Sequence, residues 1–212
     1  MKAVIFDFGG VLCFHPPDRR FTPIGGVLGL PTPELIRLFW ANRRDYDAGL
    51  LDARAYWGGI AQRAGRVLDS TTLATLVRLE VDLWSDYDRR VLDWAALLQS
   101  RGIRTAILSN LPRALGEELR ATPGLLDRFD HITFSYELGV IKPHPRIYKD
   151  AIEGLGVPAA LTLFLDDRPE NVEGGRAAGL IGEVFSSWED FLKNGLARYA
   201  LPAPAPDVAR FQ

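Results

Sequence analysis

The 212-residue sequence predicts an α/β fold: a doubly wound parallel sheet with a small helical domain inserted after its first strand. Three patterns predict it. Four short apolar runs end in polar or acidic residues, helical segments alternate with them, and one long interval has no strand character.

The runs are AVIFD (3–7), TAILSN (105–110), HITFS (131–135) and LTLFLDD (161–167). Each is strand-length, rich in Val, Ile, Leu, Thr and Phe, and free of period-2 alternation, as in strands covered on both faces. Residues 89–102, 112–124, 145–156 and 169–180 have helical spacing, and several of these segments close on a glycine suited to a C-cap. Strand–helix alternation of this kind builds right-handed crossovers and a parallel sheet.

Residues 16–88 break the rhythm. They contain amphipathic segments at 32–46, 51–65 and 70–84, so the predicted division is a core of 1–15 and 89–212 and a helical cap of 16–88. Phe39, Trp40, Tyr56, Trp57 and Trp84 lie in the insert, either as helical core or as a pocket lining facing the main domain. A last helix is expected after Trp188, followed by LPAPAPDVARFQ (201–212) as an extended, loosely packed tail.

Composition limits the function classes. Hydrophobic residues at 47% and charged residues at 25% are those of an ordinary globular protein. A net charge of -2 offers no general attraction for nucleic acid or an anionic membrane, and no apolar stretch approaches the ~20 residues that span a bilayer. The single cysteine, Cys13, sits between Leu12 and Phe14 and reads as a small buried hydrophobe. The start, MKAVIFDFGG, lacks the pattern of a signal peptide, and a cytoplasmic location is expected.

Ligands of doubly wound folds bind outside the carboxyl ends of the strands. That rule selects Asp7, then Ser109 and Asn110, then Asp166 and Asp167, with Lys142 in a loop after the third run. Taken singly, each could cap a turn or a helix; jointly, with a lysine among them, they point to a site. Carboxylates gathered at one sheet edge repel unless a cation shares the space, and Mg2+ takes such oxygen ligands. Asp7 and Asp167 are its first candidates. Lys142, Ser109 and the Asn110 N–H suit a phosphoryl group, while Gly9 and Gly10 allow close approach of backbone to ligand.

The runs VIFDFGGVL, LSN, GVIKPHPRIY and FLDDRPENVEGGRAAG together resemble the four ordered motifs of haloacid dehalogenase-like (HAD-like) hydrolases, Rossmannoid enzymes. The insert resembles the helical cap of the subgroup that includes sugar-phosphate phosphatases and the haloacid dehalogenases. YDAGLLDARAYWGGIAQRAG resembles a cap segment common there. The resemblance implies a magnesium-dependent phosphatase acting on a small phosphorylated metabolite, possible substrates including a sugar phosphate, through an aspartyl-phosphate on Asp7. It implies Asp7, the Gly9 carbonyl and Asp167 as metal ligands, with Asp166 behind them or bound through water. Ser109 and Lys142 fall at phosphate-binding positions, Gly10 and Asn110 beside them, and Asn171 supports the acidic loop.

One position departs from the family. Its phosphatases usually carry a second aspartate two residues after the nucleophile as general acid and base, and this chain has Gly9 there. The loss removes a proton donor worth about 10²- to 10⁴-fold in rate. Asp-x-Gly first motifs resemble the bacterial glucose-1-phosphate phosphatase branch. His15 is either a substitute acid or a hinge residue; His144 reads as a helix-start residue and His131 as structural. Arg43, Arg44 and Arg168 read as solvated charges. Two alternatives stand beside the phosphatase: a 2-haloacid dehalogenase, which the acidic fourth motif disfavours, and a phosphate-binding or regulatory protein without strong turnover. Oligomeric state is not legible in the sequence.

Overall fold

The four apolar runs form parallel strands in the computed structural model, which describes residues 1–204. They are β1 (Ala3–Phe6), β2 (Arg104–Ser109), β3 (His131–Phe134) and β4 (Thr162–Asp166), joined by a strand the sequence did not announce, β5 (Ile181–Val184). The sheet order is β3-β2-β1-β4-β5, so the chain leaves the central strand in both directions. β5 was not legible because Gly182 and Glu183 interrupt its apolar character. Gly182 is required there: a Cβ would stand 2.8 Å from Val172.

Full burial explains the missing alternation. Val4 and Phe6 point into one apolar cluster, Ala3 and Ile5 into another on the opposite face. The first cluster takes Trp94 and Leu98 of α6 (Arg89–Ser100), and the second takes Ile147, Tyr148 and Leu155 of α9 (Pro145–Leu155). Burying side chains of this size contributes roughly 1.5–3 kcal/mol each before entropy is subtracted.

Between β1 and β2 lie α1 (Thr22–Leu28), α2 (Thr32–Ala41), α3 (Arg43–Asp47), α4 (Ala53–Arg63) and α5 (Ser70–Leu83). Their buried side chains, including Phe39, Tyr56 and Trp57, join the first cluster rather than forming one of their own. The side-chain oxygens of Asp52, Asp69 and Asp88 accept from the first turns of α4, α5 and α6, fixing where those helices start. α7 (Arg113–Ala121), α8 (Ser135–Leu138) and α10 (Pro169–Ala177) complete the crossovers.

The segment expected as one helix over 32–46 breaks at Asn42, whose φ of −120° and ψ of 21° are not helical. The break coincides with a second correction. Arg43 is not a solvated charge: it is 6% exposed and held by Asp47 and Glu80. Arg44 and Arg168 are exposed, as expected.

After β5 the chain runs through α11 (Trp188–Asp190), a π-turn at Phe191–Gly195 and α12 (Leu196–Tyr199). The start of the proline-rich segment is packed rather than loose. Leu201 is buried and the Pro202 carbonyl accepts from Trp94 Nε1 at 2.9 Å. The rest of the tail, 205–212, lies outside the described residues. Among the described residues, no helix is long and apolar enough to cross a membrane.

Candidate active site

The carboxyl ends of β1, β2 and β4 open on a cavity of about 410 Å³, lined among others by Asp7, Gly9, Ser109, Asn110, Lys142 and Asp167. Parallel strands put all these ends on one edge of the sheet, which is why residues more than a hundred positions apart meet. Carboxylate oxygens of Asp7, Asp166 and Asp167 lie within 4.8 Å of one another.

Lys142 is 2% exposed and binds this group together. Its Nζ donates to the Leu108 carbonyl at 2.9 Å and to Asp166 Oδ2 at 2.6 Å, and lies 2.8 Å from Asp7 Oδ1. An ammonium has three donors, so all three are engaged within the protein. The loop carrying Lys142 is fixed by Asn110, whose Oδ1 accepts from the Lys142 backbone N–H at 2.7 Å and whose Nδ2 donates to its carbonyl at 3.3 Å.

The three carboxyls have different surroundings. Asp7 Oδ1 accepts the Phe8 N–H at 2.6 Å; burial raises the Asp7 pKa, Lys142 works against that, and Asp166 and Asp167 add to it. Burial also opposes ionisation of Asp166. Even so, Lys142, the Arg168 N–H and two bonds from Asn171 Nδ2 hold it below the ordinary range. Both Asp166 oxygens are therefore occupied. Asp167 is more open, with its Oδ2 2.9 Å from His15 Nε2.

Glycine is needed at position 10 twice over. Its φ is +80°, and a Cβ would stand 2.7 Å from Asp167 Cγ and 2.8 Å from His15 Nε2. At Gly9 the obstacle is Trp84, whose Cζ3 would be 3.1 Å from a Cβ. An indole thus stands against the place where family members carry their second aspartate.

His15 is half-exposed on the cavity wall, edge-on to Trp84, and its hydrogen bond to Asp167 raises its pKa. His144 caps α9 by accepting the Arg146 N–H at 3.2 Å. His131 lies away from the cavity lining, 3.2 Å from Asp150. Of the insert aromatics, Trp40 and Trp84 line the cavity, while Phe39, Tyr56 and Trp57 are helical core. Cys13 is buried, and burial pushes its thiol up to about 12.

Two residues that line the cavity had no signal of their own in the sequence. Asp47 and Arg43 reach it from α3, and the Asp47 carbonyl accepts from Ser135 Oγ at 2.5 Å. The same Ser135 Oγ accepts the Leu111 N–H at 3.0 Å, tying the insert to the loop that follows Ser109.

The family model of haloacid dehalogenase-like hydrolases matches residues 1–179. A phosphatase of Mycobacterium tuberculosis is 28% identical over 184 residues, 85% of each chain. A phosphoglycolate phosphatase of Rhodospirillum rubrum is 32% identical over 200 residues, covering 87% of this chain and 79% of that one. In fold, the chain matches a HAD family enzyme of Bacteroides thetaiotaomicron, crystallised as a mutant with magnesium and inorganic phosphate. The TM-score is 0.72 at 19% identity, covering 90% and 98% of the two chains. The chain belongs to the haloacid dehalogenase-like hydrolase family.

Proposed function

We propose that the chain is a magnesium-dependent phosphatase that hydrolyses a small phosphate monoester through an aspartyl-phosphate on Asp7. The observation that supports it is the strand-end cluster, three carboxyls against one lysine. Fully ionised, that set has a surplus of two negative charges, and its donors are oxygens, which is what a hard divalent cation requires. The relatives are named as phosphatases, and the fold neighbour was crystallised with magnesium and phosphate.

In this reading Asp7, Asp167 and the Gly9 carbonyl hold the cation, and Asp166 stands behind them, its oxygens already occupied. Bound magnesium supplies charge to offset the phosphoryl oxygens. Asp7 attacks phosphorus in line, the ester P–O bond breaks, and water then cleaves the acyl phosphate to restore the carboxylate. Lys142 opposes protonation of Asp7 and holds its carboxyl in place. Ser109 Oγ, which makes no hydrogen bond among the described residues, and the Asn110 N–H receive phosphoryl oxygens. Gly10 leaves room for the ligand. Residues 16–88 act as the cap over this site, set against a core of 1–15 and 89–212.

The carboxyl trio favours this over carbon–halogen cleavage, which uses the same nucleophile without metal. The test is phosphate release from a panel of phosphomonoesters, with magnesium and with chelator, beside halide release from 2-haloacids. Magnesium-dependent phosphate release abolished by Asp7→Asn is expected. Halide release alone, or phosphate release equal in the variant, overturns the reading.

A further inference from the structure

Gly9 leaves the site without its usual proton donor, and the cavity offers three other titratable groups facing it. His15 has Nε2 turned to Asp167, and Glu170 is exposed at the rim. The third is Asp47, brought in by the insert. Its Oδ1 accepts from Arg43 Nε at 2.7 Å, while Oδ2 accepts no hydrogen bond among the described residues and 12% of the side chain remains open. Its backbone carbonyl is tied through Ser135 to Leu111, two positions beyond Ser109, and Asp47 lines the same cavity as Ser109 and Asn110.

Resting on the phosphatase reading, we propose that Asp47 is the proton donor to the leaving group, a carboxylic acid delivered by the insert in place of the aspartate absent at position 9. As Asp7 closes on phosphorus and the ester bond breaks, its electron pair goes to the departing oxygen. The Asp47 carboxyl gives that oxygen its proton. The resulting carboxylate faces the Arg43 guanidinium. In the second half, the attacking water returns a proton to Asp47, and both aspartates are restored.

The environment suits an acid that stays protonated near neutral pH. Burial pushes the Asp47 carboxyl up to about 7; Arg43 opposes this, Glu80 adds to it, and Arg168 across the cavity opposes it weakly. Arg43 cannot neutralise Asp47 alone because it also pairs with Glu80 at 2.5 Å. Proton donors are most effective with a pKa near the working pH.

The test compares kcat/KM of Asp47→Asn and wild type on an alkyl phosphate and on p-nitrophenyl phosphate, whose leaving phenolate needs no proton. The expected loss is about 10²-fold or more on the alkyl ester, and at least about tenfold smaller on the aryl ester. Equal losses, or none on the alkyl ester, overturn the assignment. The wild type gives a second measurement that does not depend on the variant folding. Its kcat/KM on the alkyl ester should fall as pH rises through about 7, more steeply than on the aryl ester. Profiles of the same shape on both esters overturn it. Turnover above Asp7→Asn on either ester tests the phosphatase reading separately, so the two failures cannot be confused.

Discussion

Lys142 lies between Asp7 and Asp166 at the strand ends, and Arg43 lies between Asp47 and Glu80 in the helical insert. Each is one buried cation with two carboxyls, yet the two clusters are completed differently. Around Arg43 the additional partners are donors: Tyr46 Oη and Trp57 Nε1 both reach Glu80 Oε2, at 3.0 and 3.1 Å, and the guanidinium packs 4.6 Å from the Phe39 ring centroid. Around Lys142 the additional partner is another acid, Asp167, and the cluster opens on the cavity. Internal donors close a buried charge cluster into scaffold, whereas surplus carboxylate leaves it ready to take a cation. Asp47 belongs to the Arg43 cluster and lines the cavity on which the Lys142 cluster opens.

Three substitutions test this contrast. Asp7→Asn should have the largest effect, lowering turnover by at least about 10³-fold in steady-state phosphate release, as expected for a nucleophile. Lys142→Met leaves Asp7 and Asp166 without their cation; denaturant unfolding should show a loss of about 3–5 kcal/mol, together with loss of turnover. Glu80→Ala should cost stability on the order of 3 kcal/mol while lowering turnover far less than Asp7→Asn does. If turnover fell as far as in Asp7→Asn, Glu80 would be more than scaffold.

The smallest effect concerns pH. Burial raises the Asp7 carboxyl in the folded chain above its ordinary 3.8, so protonation favours the folded state. That stabilisation is full below the unfolded value and is lost as pH rises through the folded one. Without magnesium, Asp7→Asn should therefore be more stable than wild type above neutral pH, on the order of 1–3 kcal/mol. A thermal melt with chelator present checks it, and an equal or lower melting temperature for the variant would contradict it.

The site was more legible than the insert for a physical reason. Asp7, Ser109 and Asp166 directly end apolar runs, so the rule about strand ends finds them without knowledge of contacts. Arg43 and Glu80 are 37 positions apart on separate helices, and nothing local marks either as buried. Asp47 sits just before a glycine turn, where an aspartate ordinarily reads as a solvated turn residue. Likewise β5 owes its place to pairing with β4 rather than to its own composition.

Covalent phosphorylation of Asp7 is tested by acid-quenching the enzyme during turnover with magnesium and mapping the phosphorylated peptide. An acid-stable, hydroxylamine-labile phosphate is expected on the peptide carrying Asp7, absent from Asp7→Asn. Phosphate on another residue, or none while turnover continues, would contradict it.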